Sequence, residues 1–267
     1  MPSKTRKSSR ATWPLRHFAT RPLVVTIDGP AGVGKSTVAK RLAQRLGLVY
    51  LDTGATYRAL AYAALKANLN PVTDAGRLSV LARGLSLQFR PAPDGGVRVL
   101  LNRADITRAI RTEEISEAAA LVSQEPDVRA AMVSLQRKIA FAHFTTSPRS
   151  GQLPRASSLE PRAGTGVVVE GRDTGSVVFP RATFKFFLDA DPAIRARRRQ
   201  QELARLYGTK PPLGQVREQL HFRDRLDRSR RVGPLVKPAG AVAIDTSHLT
   251  ASHVIQVMLR HIRNISP

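Results

Sequence analysis

The stretch LVVTIDGPAGVGKST, Leu23 to Thr37, joins an apolar run to a glycine-rich turn and then to a helical pattern. It fits the phosphate-loop pattern GxxxxGK[ST] at every fixed position, namely Gly29, Gly34, Lys35 and Ser36. A strand before the motif and a helix after it are the context that the motif requires. The stretch therefore predicts a site for the phosphates of a nucleotide at the start of a helix.

The residue types of this loop indicate how it would hold an anion. Glycines let backbone N–H groups turn inward around a β-phosphate, where the aligned dipoles of the following helix stabilise negative charge. We expect Lys35 to contact the β- and γ-phosphates and the hydroxyl of Ser36 to ligate Mg²⁺. The residues predicted to bind the triphosphate are Gly29, Pro30, Ala31, Gly32, Val33, Gly34, Lys35, Ser36 and Thr37.

Strand and helix patterns alternate along the rest of the chain. The segments predicted as buried strands are 23–27, 49–51, 167–169, 184–189 and 241–244, and helical patterns follow them at 36–46, 55–67, 192–207, 213–230 and 252–262. Such alternation predicts an α/β fold of the phosphate-loop NTPase type, with a parallel sheet flanked by helices.

A long interruption separates the second and third of these strands. Alternating residues at 85–89 and 97–101 predict a hairpin, and two helices are predicted over 113–124 and 127–142. We therefore expect an inserted small α+β lobe and a helical basic lid. The predicted division is a disordered tail over 1–22, core over 23–70, the inserted lobe over 71–143, a flexible Pro/Ser-rich loop over 144–166, core over 167–191, lid helices over 192–237 and core over 238–267.

The net charge of +23 predicts polyanionic partners. Six Lys or Arg residues and no acid lie in residues 1–22, and thirteen Lys or Arg against four acids lie between Arg195 and Lys237. The tail is interpreted as a solvated arm that binds polyanions nonspecifically and in a salt-dependent way. An organelle transit peptide is an alternative interpretation of the same composition.

Other classes of protein are excluded by composition. No apolar run approaches the roughly 20 residues that span a bilayer, so we expect a soluble, cytoplasmic protein and no membrane partner. The chain has no cysteine, which excludes disulfides, thiolate metal sites and cysteine nucleophiles. The scattered histidines share no ligand spacing with carboxylates, so a metal site built from protein side chains alone is not expected.

Arginines recur where predicted strands end. An isolated arginine is most often a solvated surface charge, but Arg172 follows a predicted central strand and Gly171, at the edge where open α/β sheets bind ligands. Arg58, Arg223 and Arg230 are further candidates. Several arginines suit the transfer of a phosphoryl group to an acceptor that is itself a phosphate.

The motifs together resemble those of a known family. IDGPAGVGKST, YLDTGATYRALA, IRTEEI, EGRDTGSVVFP, FFLDAD and RDRLDRSRRVGPL occur in the order and spacing seen in the bacterial cytidylate (CMP/dCMP) kinases, which are phosphate-loop nucleoside monophosphate kinases. The resemblance runs from about Val24 to Arg263 and spares the tail and the 144–166 loop. It implies ATP as phosphoryl donor, Mg²⁺, CMP or dCMP as acceptor, and a monomer.

The resemblance also implies a role for each matching position. Lys35, Arg172, Arg223 and Arg230 would act on the transferring phosphoryl group. Arg198 would contact ATP from the basic lid helix that also carries Arg195 and Arg199. The residues implied to bind the acceptor are Thr53 and Tyr57, Arg58 and Arg172 on its phosphate, Arg129 and Asp173 on the cytosine, Asp227 near the ribose, and Arg223 and Arg230 on phosphate or base.

The chain departs from the family pattern at three positions. Glu170 stands where the family usually has Asp, Thr53 stands where it often has Ser, and Ala120 occupies a place where a base-reading serine is expected. The last departure predicts looser pyrimidine selectivity. Two other functions stay open at this point: a phosphate-loop kinase of a different small acceptor, such as another nucleoside monophosphate or dephospho-coenzyme A, and a nucleic-acid-binding NTPase.

Overall fold

The computed structural model describes residues 22–92, 97–145 and 166–264 of the chain. The strands of this part are β1 (Leu23–Asp28), β2 (Val49–Asp52), β3 (Leu87–Pro91), β4 (Val97–Leu101), β5 (Ala104–Asp105), β6 (Gly166–Gly171), β7 (Phe184–Asp189) and β8 (Val242–Asp245). The α-helices are α1 (Lys35–Leu46), α2 (Thr53–Lys66), α3 (Ala75–Arg83), α4 (Glu113–Val122), α5 (Pro126–Thr145), α6 (Pro192–Tyr207), α7 (Leu213–Ser229) and α8 (Ala251–Asn264).

A five-stranded parallel sheet in the order β2-β6-β1-β7-β8 forms the centre of the fold. β1 lies in its middle and pairs with β6 along its whole length and with β7 from Val25 to Asp28. Because parallel strands end at the same edge, the loops that follow β1, β2, β6 and β7 lie together there. This is the edge at which open α/β sheets bind ligands.

Helices cover both faces of the sheet, so the central strand β1 is buried on both of its faces. Every residue of β1 is buried. Val25 and Ile27 pack into the apolar cluster that contains α1 and α8, whereas Val24 packs on the opposite face with α2 and the inserted segment. A strand buried on both faces is expected to be a nearly continuous apolar run, and Leu23–Ile27 fits this pattern with Thr26 as its one polar residue.

The segment between α2 and β6 adds a second sheet and three α-helices. β3, β4 and β5 form an antiparallel sheet, and its core residues Leu78, Phe89, Ile115 and Met132 belong to the same apolar cluster as α2. The hairpin and the two longer helices were predicted. The sequence did not predict α3, which has nine residues, or β5, which has two. Elements this short do not show a clear hydrophobic period.

The two basic helices, α6 and α7, form a pair that we call the lid helices. They pack on each other through a small apolar cluster of their own, made by Ala196, Leu203, Val216 and Leu220. The carboxylate of Asp191 caps α6 by accepting hydrogen bonds from the first turn. The charged side chains of the pair are thereby left for the surface and for the edge of the sheet.

The predicted parallel α/β fold is confirmed, with strand and helix ends shifted by a few residues. The predicted tail and flexible loop lie outside the described residues, except at their borders. There α5 extends to Thr145 and β6 begins at Gly166, both inside the segment predicted as a loop. The domain boundaries stay a prediction. None of the described helices combines the length and apolar character needed to span a bilayer.

Asp28, the last residue of β1, ties this strand to the segment after β6. Its carboxylate accepts hydrogen bonds from the backbone N–H of Thr174 (2.8 Å), the Thr174 hydroxyl (2.8 Å) and the N–H of Gly175 (2.7 Å). These donors lie in a single π-helical turn, Thr174–Val178. Burial raises the pKa of Asp28 to about 6, against the effect of these hydrogen bonds. The carboxylate thereby fixes the loop that carries Arg172 and Asp173.

Asp28→Asn is expected to lower the free energy of unfolding by about 2 kcal/mol, because the amide NH₂ would face a buried N–H donor. The measurement is urea denaturation of both proteins. Asp189→Asn is the control, since Asp189 ends the neighbouring strand β7 but is exposed; it should change stability by less than about 0.5 kcal/mol. Equal losses in the two variants would contradict the anchoring role of Asp28.

Candidate active site

The phosphate-binding loop lies between β1 and α1, as predicted. Gly29 has a φ of 148°, and a Cβ there would collide with the backbone carbonyl of Leu188 on β7, so only glycine fits this close approach. Lys35, at the start of α1, is 7% exposed and donates to the carbonyl of Pro30 at 2.6 Å. Burial, followed by the positive charge of Arg172, lowers the pKa of Lys35 to about 7.

Glu170 near the end of β6 binds the loop directly. Its carboxylate accepts from the Ser36 hydroxyl at 3.0 Å and from the Tyr50 hydroxyl. Burial, and then the charge of Asp52, raises the pKa of Glu170. Because a glutamate extends one methylene further than an aspartate, this departure from the family pattern brings the carboxylate into hydrogen-bonding contact with Ser36.

A cluster of arginines surrounds one buried carboxylate. Asp227 on α7 is 2% exposed; it accepts from Arg172 Nε at 2.7 Å and also binds Arg230. Arg223, one turn earlier on α7, is half-buried, and its buried Nε has no hydrogen-bond partner among the described residues. Burial, followed by the positive charge of Arg172, lowers the pKa of Arg223 to about 10. The structure thus brings together three of the four residues predicted to act on a phosphoryl group.

A second ion pair lies beside this cluster. Arg129 on α5, which is fully buried, binds the carboxylate of Asp173, and its guanidinium lies 5.7 Å from the ring centre of Tyr57. Gly233 has a φ of 62°, and a Cβ there would overlap both members of the pair. The Tyr57 hydroxyl and Arg129 Nε have no hydrogen-bond partner among the residues described. Burial raises the pKa of Tyr57 to about 12.

The polar residues that follow β2 bind protein groups outside the arginine cluster. Arg58 binds Asp52 at 2.7 Å, and Asp52 also caps α2 by accepting from Ala55 N–H at 3.0 Å. The Thr53 hydroxyl donates to the backbone carbonyl of Glu170 at 2.7 Å. In this structure the predicted acceptor-binding groups of Thr53 and Arg58 are therefore engaged with protein partners.

The lid helices hold the phosphate-binding loop from its other side. Arg195 donates to the Ala31 carbonyl at 2.9 Å and binds Asp224 on α7 at 2.5 Å. Arg198 donates to the Thr246 carbonyl at 2.6 Å, and the Thr246 hydroxyl donates to the Val33 carbonyl at 3.0 Å. Arg198 is thus joined to the loop through Thr246, and its contact with ATP stays a prediction, while Arg199 pairs with Glu202 at 3.0 Å.

A cavity of about 270 Å³ lies between α4 and α7. It is lined by Glu113, Ser116, Glu117, Ala120, Leu121, Arg199, Val216, Gln219, Leu220, Phe222 and Arg223. Ala120, where the resemblance predicts a serine, therefore borders the same space as Arg223.

Sequence reasoning assigned no role to several polar residues of this region. Asp28 and Asp224 each hold a site segment in place, and Ser123 contacts both Arg129 and Arg230. Glu170 was noted only as a departure. Asp28 directly precedes the phosphate-loop motif, so its position is a usable signal. Ser123 and Asp224 have no local signal, since their partners are distant in the chain.

The chain is similar in sequence to known proteins over most of its length. The sequence model of the family described as Cytidylate kinase matches residues 25–145 and 156–264. A cytidylate kinase of Symbiobacterium thermophilum is 41% identical over 244 residues, which cover 91% of this chain and 97% of that protein. A cytidylate kinase of Geobacillus kaustophilus is 42% identical over 237 residues, covering 88% and 94%.

Among solved structures, a shikimate kinase from Acinetobacter baumannii in complex with shikimate is similar with a TM-score of 0.41 and 15% identity, covering 94% of this chain and 98% of that one. A gluconokinase from Sinorhizobium meliloti also has a TM-score of 0.41, with 14% identity and coverage of 92% and 94%.

A parallel sheet with a phosphate-binding loop at its carboxyl edge, beside a cluster of half-buried and buried arginines, is typical of a phosphate-loop kinase. The family model matches most of the chain, and the two relatives are more than 40% identical to it. These matches narrow the class of phosphate-loop kinases to one family. The chain belongs to the cytidylate kinase family.

Proposed function

We propose that this protein transfers the γ-phosphoryl group of ATP to CMP or dCMP, giving ADP and CDP or dCDP. The observation that carries the proposal is the identity of 41% to a cytidylate kinase over 91% of the chain. The buried Arg129–Asp173 pair supports it, because it offers a base both a donor and an acceptor.

The reaction forms one bond and breaks one. An oxygen of the acceptor phosphate bonds to the γ-phosphorus of ATP, and the bond from that phosphorus to the β,γ-bridging oxygen breaks. The main obstacle is negative charge on both reactants, so positioning and fixed cations supply most of the rate. We assign Lys35 to the donor phosphates and Arg172, Arg223 and Arg230 to the acceptor and the transferring group.

The residues around Ser36 fit a magnesium ion that takes most of its ligands from phosphates and water. The Ser36 hydroxyl and the Glu170 carboxylate lie 3.0 Å apart, and hard oxygen ligands of this kind suit Mg²⁺. Within the described ranges, no group of three or more His, Cys, Asp or Glu side chains could hold a metal alone. When bound, Mg²⁺ would neutralise charge on the donor phosphates.

Base choice depends in this proposal on Asp173 and Arg129. The Asp173 carboxylate can accept from the cytosine amino group, which uracil lacks. Arg58, Thr53 and Tyr57 are proposed to contact the acceptor after the Asp52–Arg58 pair rearranges. The monomeric state, the cytoplasmic location and polyanion binding by residues 1–22 remain predictions that accompany this function.

The proposal is tested by coupled assays of ADP formation from ATP with CMP, dCMP, UMP and AMP. CMP or dCMP should be the best acceptor. Equal or faster turnover of AMP would favour a kinase of another monophosphate, and absence of turnover with every acceptor would favour the nucleic-acid-binding alternative.

Lys35→Ala and Arg172→Ala should each lower kcat/KM for CMP by about 10³-fold, because each removes a fixed positive charge from the phosphoryl groups. Steady-state kinetics and circular dichroism of the purified variants provide the measurement. Arg41→Ala is the control, since Arg41 is exposed on the same helix as Lys35. Near-normal turnover in either site variant would contradict its role.

Asp173→Asn should reduce the preference for CMP over UMP by about tenfold or more, because an amide NH₂ can donate to the uracil O4 where a carboxylate cannot. Asparagine keeps an oxygen for Arg129, whereas alanine would leave that buried charge unpaired. The measurement is the ratio of kcat/KM values. An unchanged ratio would show that Asp173 does not read the base.

ATP binding should take up protons near neutral pH. With a pKa of about 7, Lys35 is partly neutral in the free protein, and bound phosphates favour its charged form, so ATP affinity should fall as the pH rises through 7. Calorimetry in buffers of different ionisation enthalpy measures the uptake. Lys35→Arg, which stays charged, is the matched control; identical proton uptake in both proteins would refute the assignment.

A further inference from the structure

Ser123 is a buried serine to which the proposed mechanism assigns no task. It follows the last residue of α4 and is 2% exposed. Its hydroxyl donates to the Ala120 carbonyl at 2.8 Å, which is a local helix-end contact. The direction of that donation leaves the lone pairs of the hydroxyl oxygen for other partners.

Both ion pairs of the site meet at this residue. The hydroxyl oxygen of Ser123 accepts from Arg230 at 2.9 Å, and the backbone carbonyl of Ser123 accepts from Arg129 at 3.3 Å. Arg230 binds Asp227, and Arg129 binds Asp173. Ser123 therefore joins a guanidinium from each pair through two different atoms of one residue.

The contact to Arg230 also crosses between two parts of the fold. Ser123 belongs to the segment inserted after β2, whereas Arg230 follows the second lid helix. Gln124 makes a parallel contact, donating to the Leu226 carbonyl of α7 at 3.3 Å. Arg230 Nη2 donates both to Asp227, three positions earlier in the chain, and to the Ser123 hydroxyl. The hydroxyl of Ser123 therefore adds an acceptor from a different segment to the local contact with Asp227.

We infer that Ser123 is a positioning residue for the acceptor nucleotide, setting the orientation of Arg230 through its hydroxyl and of Arg129 through its carbonyl. The inference rests on the proposed function. Ala120, one turn earlier on α4, carries no polar group, so Ser123 supplies the hydroxyl on this part of the helix. Its hydroxyl acts on the nucleotide through Arg230 and is distinct from the groups that touch the phosphates.

The test is Ser123→Ala, with steady-state kinetics in CMP and in ATP. We expect KM for CMP to rise about tenfold, because a hydrogen bond to a charged group is lost. The kcat should change less than about threefold and KM for ATP should not change, since Ser123 contacts neither Lys35 nor the phosphate-binding loop. Ser79→Ala is the matched control: Ser79 is buried in α3 of the same segment and donates to the Ala75 carbonyl at 3.0 Å.

A second measurement separates the hydroxyl–guanidinium contact from general loosening. In urea denaturation, Ser123→Ala should lower the midpoint clearly more in the wild-type background than in an Arg230→Lys background, because the contact with the guanidinium is lost only in the first case while the bond to the Ala120 carbonyl is lost in both. Additive shifts would show that Ser123 does not hold Arg230 and would overturn the inference.

The outcomes distinguish the inference from the function on which it rests. A wild-type protein that phosphorylates CMP, with Ser123→Ala matching Ser79→Ala in KM, would overturn the inference alone. A wild-type protein that leaves CMP unphosphorylated would overturn the proposed function and the inference together.

Discussion

The buried carboxylate of Asp227 binds Arg172 from the end of β6 and Arg230 from the end of α7, and the cationic side of the cleft depends on this double contact. Guanidinium groups in a poorly solvated cleft repel one another strongly. Although burial opposes ionisation, the arginines, with Arg172 first, keep the pKa of Asp227 below its usual range. One acid thus holds cations from two segments close together in one cleft.

Other carboxylates, buried or half-buried, hold further parts of the site in the same way. Asp173 binds Arg129, Asp224 binds Arg195, and Asp52 binds Arg58. In each case the arginine lies on an element different from its acid or on the following turn, so the pairs connect strands, inserted helices and lid helices. The chain as a whole has an excess of positive charge, but the arginines of the cleft lie beside carboxylates. These carboxylates reduce the repulsion between the arginines, so the arginines can lie close together.

Local features of the site were predictable from the sequence and distant pairings mostly were not. The phosphate-binding loop, its flanking strand and its helix are encoded in fifteen consecutive residues. The meeting of Arg129 with Asp173 was expected only from the family resemblance, since 44 positions separate them. No periodicity marks Ser123 as the partner of Arg230, because their contact depends on how α4 packs against the lid helices. Short elements such as α3 were not predicted for a different reason, because a helix of few residues shows little hydrophobic period.

The small apolar contact between α6 and α7 has a mechanical consequence. Leu203 and Val216 pack α6 against α7, and Arg195 of α6 binds Asp224 of α7, so a displacement of Arg223 together with both helices would also strain the bond from Arg195 to the Ala31 carbonyl. Movement of the two helices away from the sheet would then require this hydrogen bond to break. Residues that do not contact a nucleotide would in that way affect the opening of the cleft.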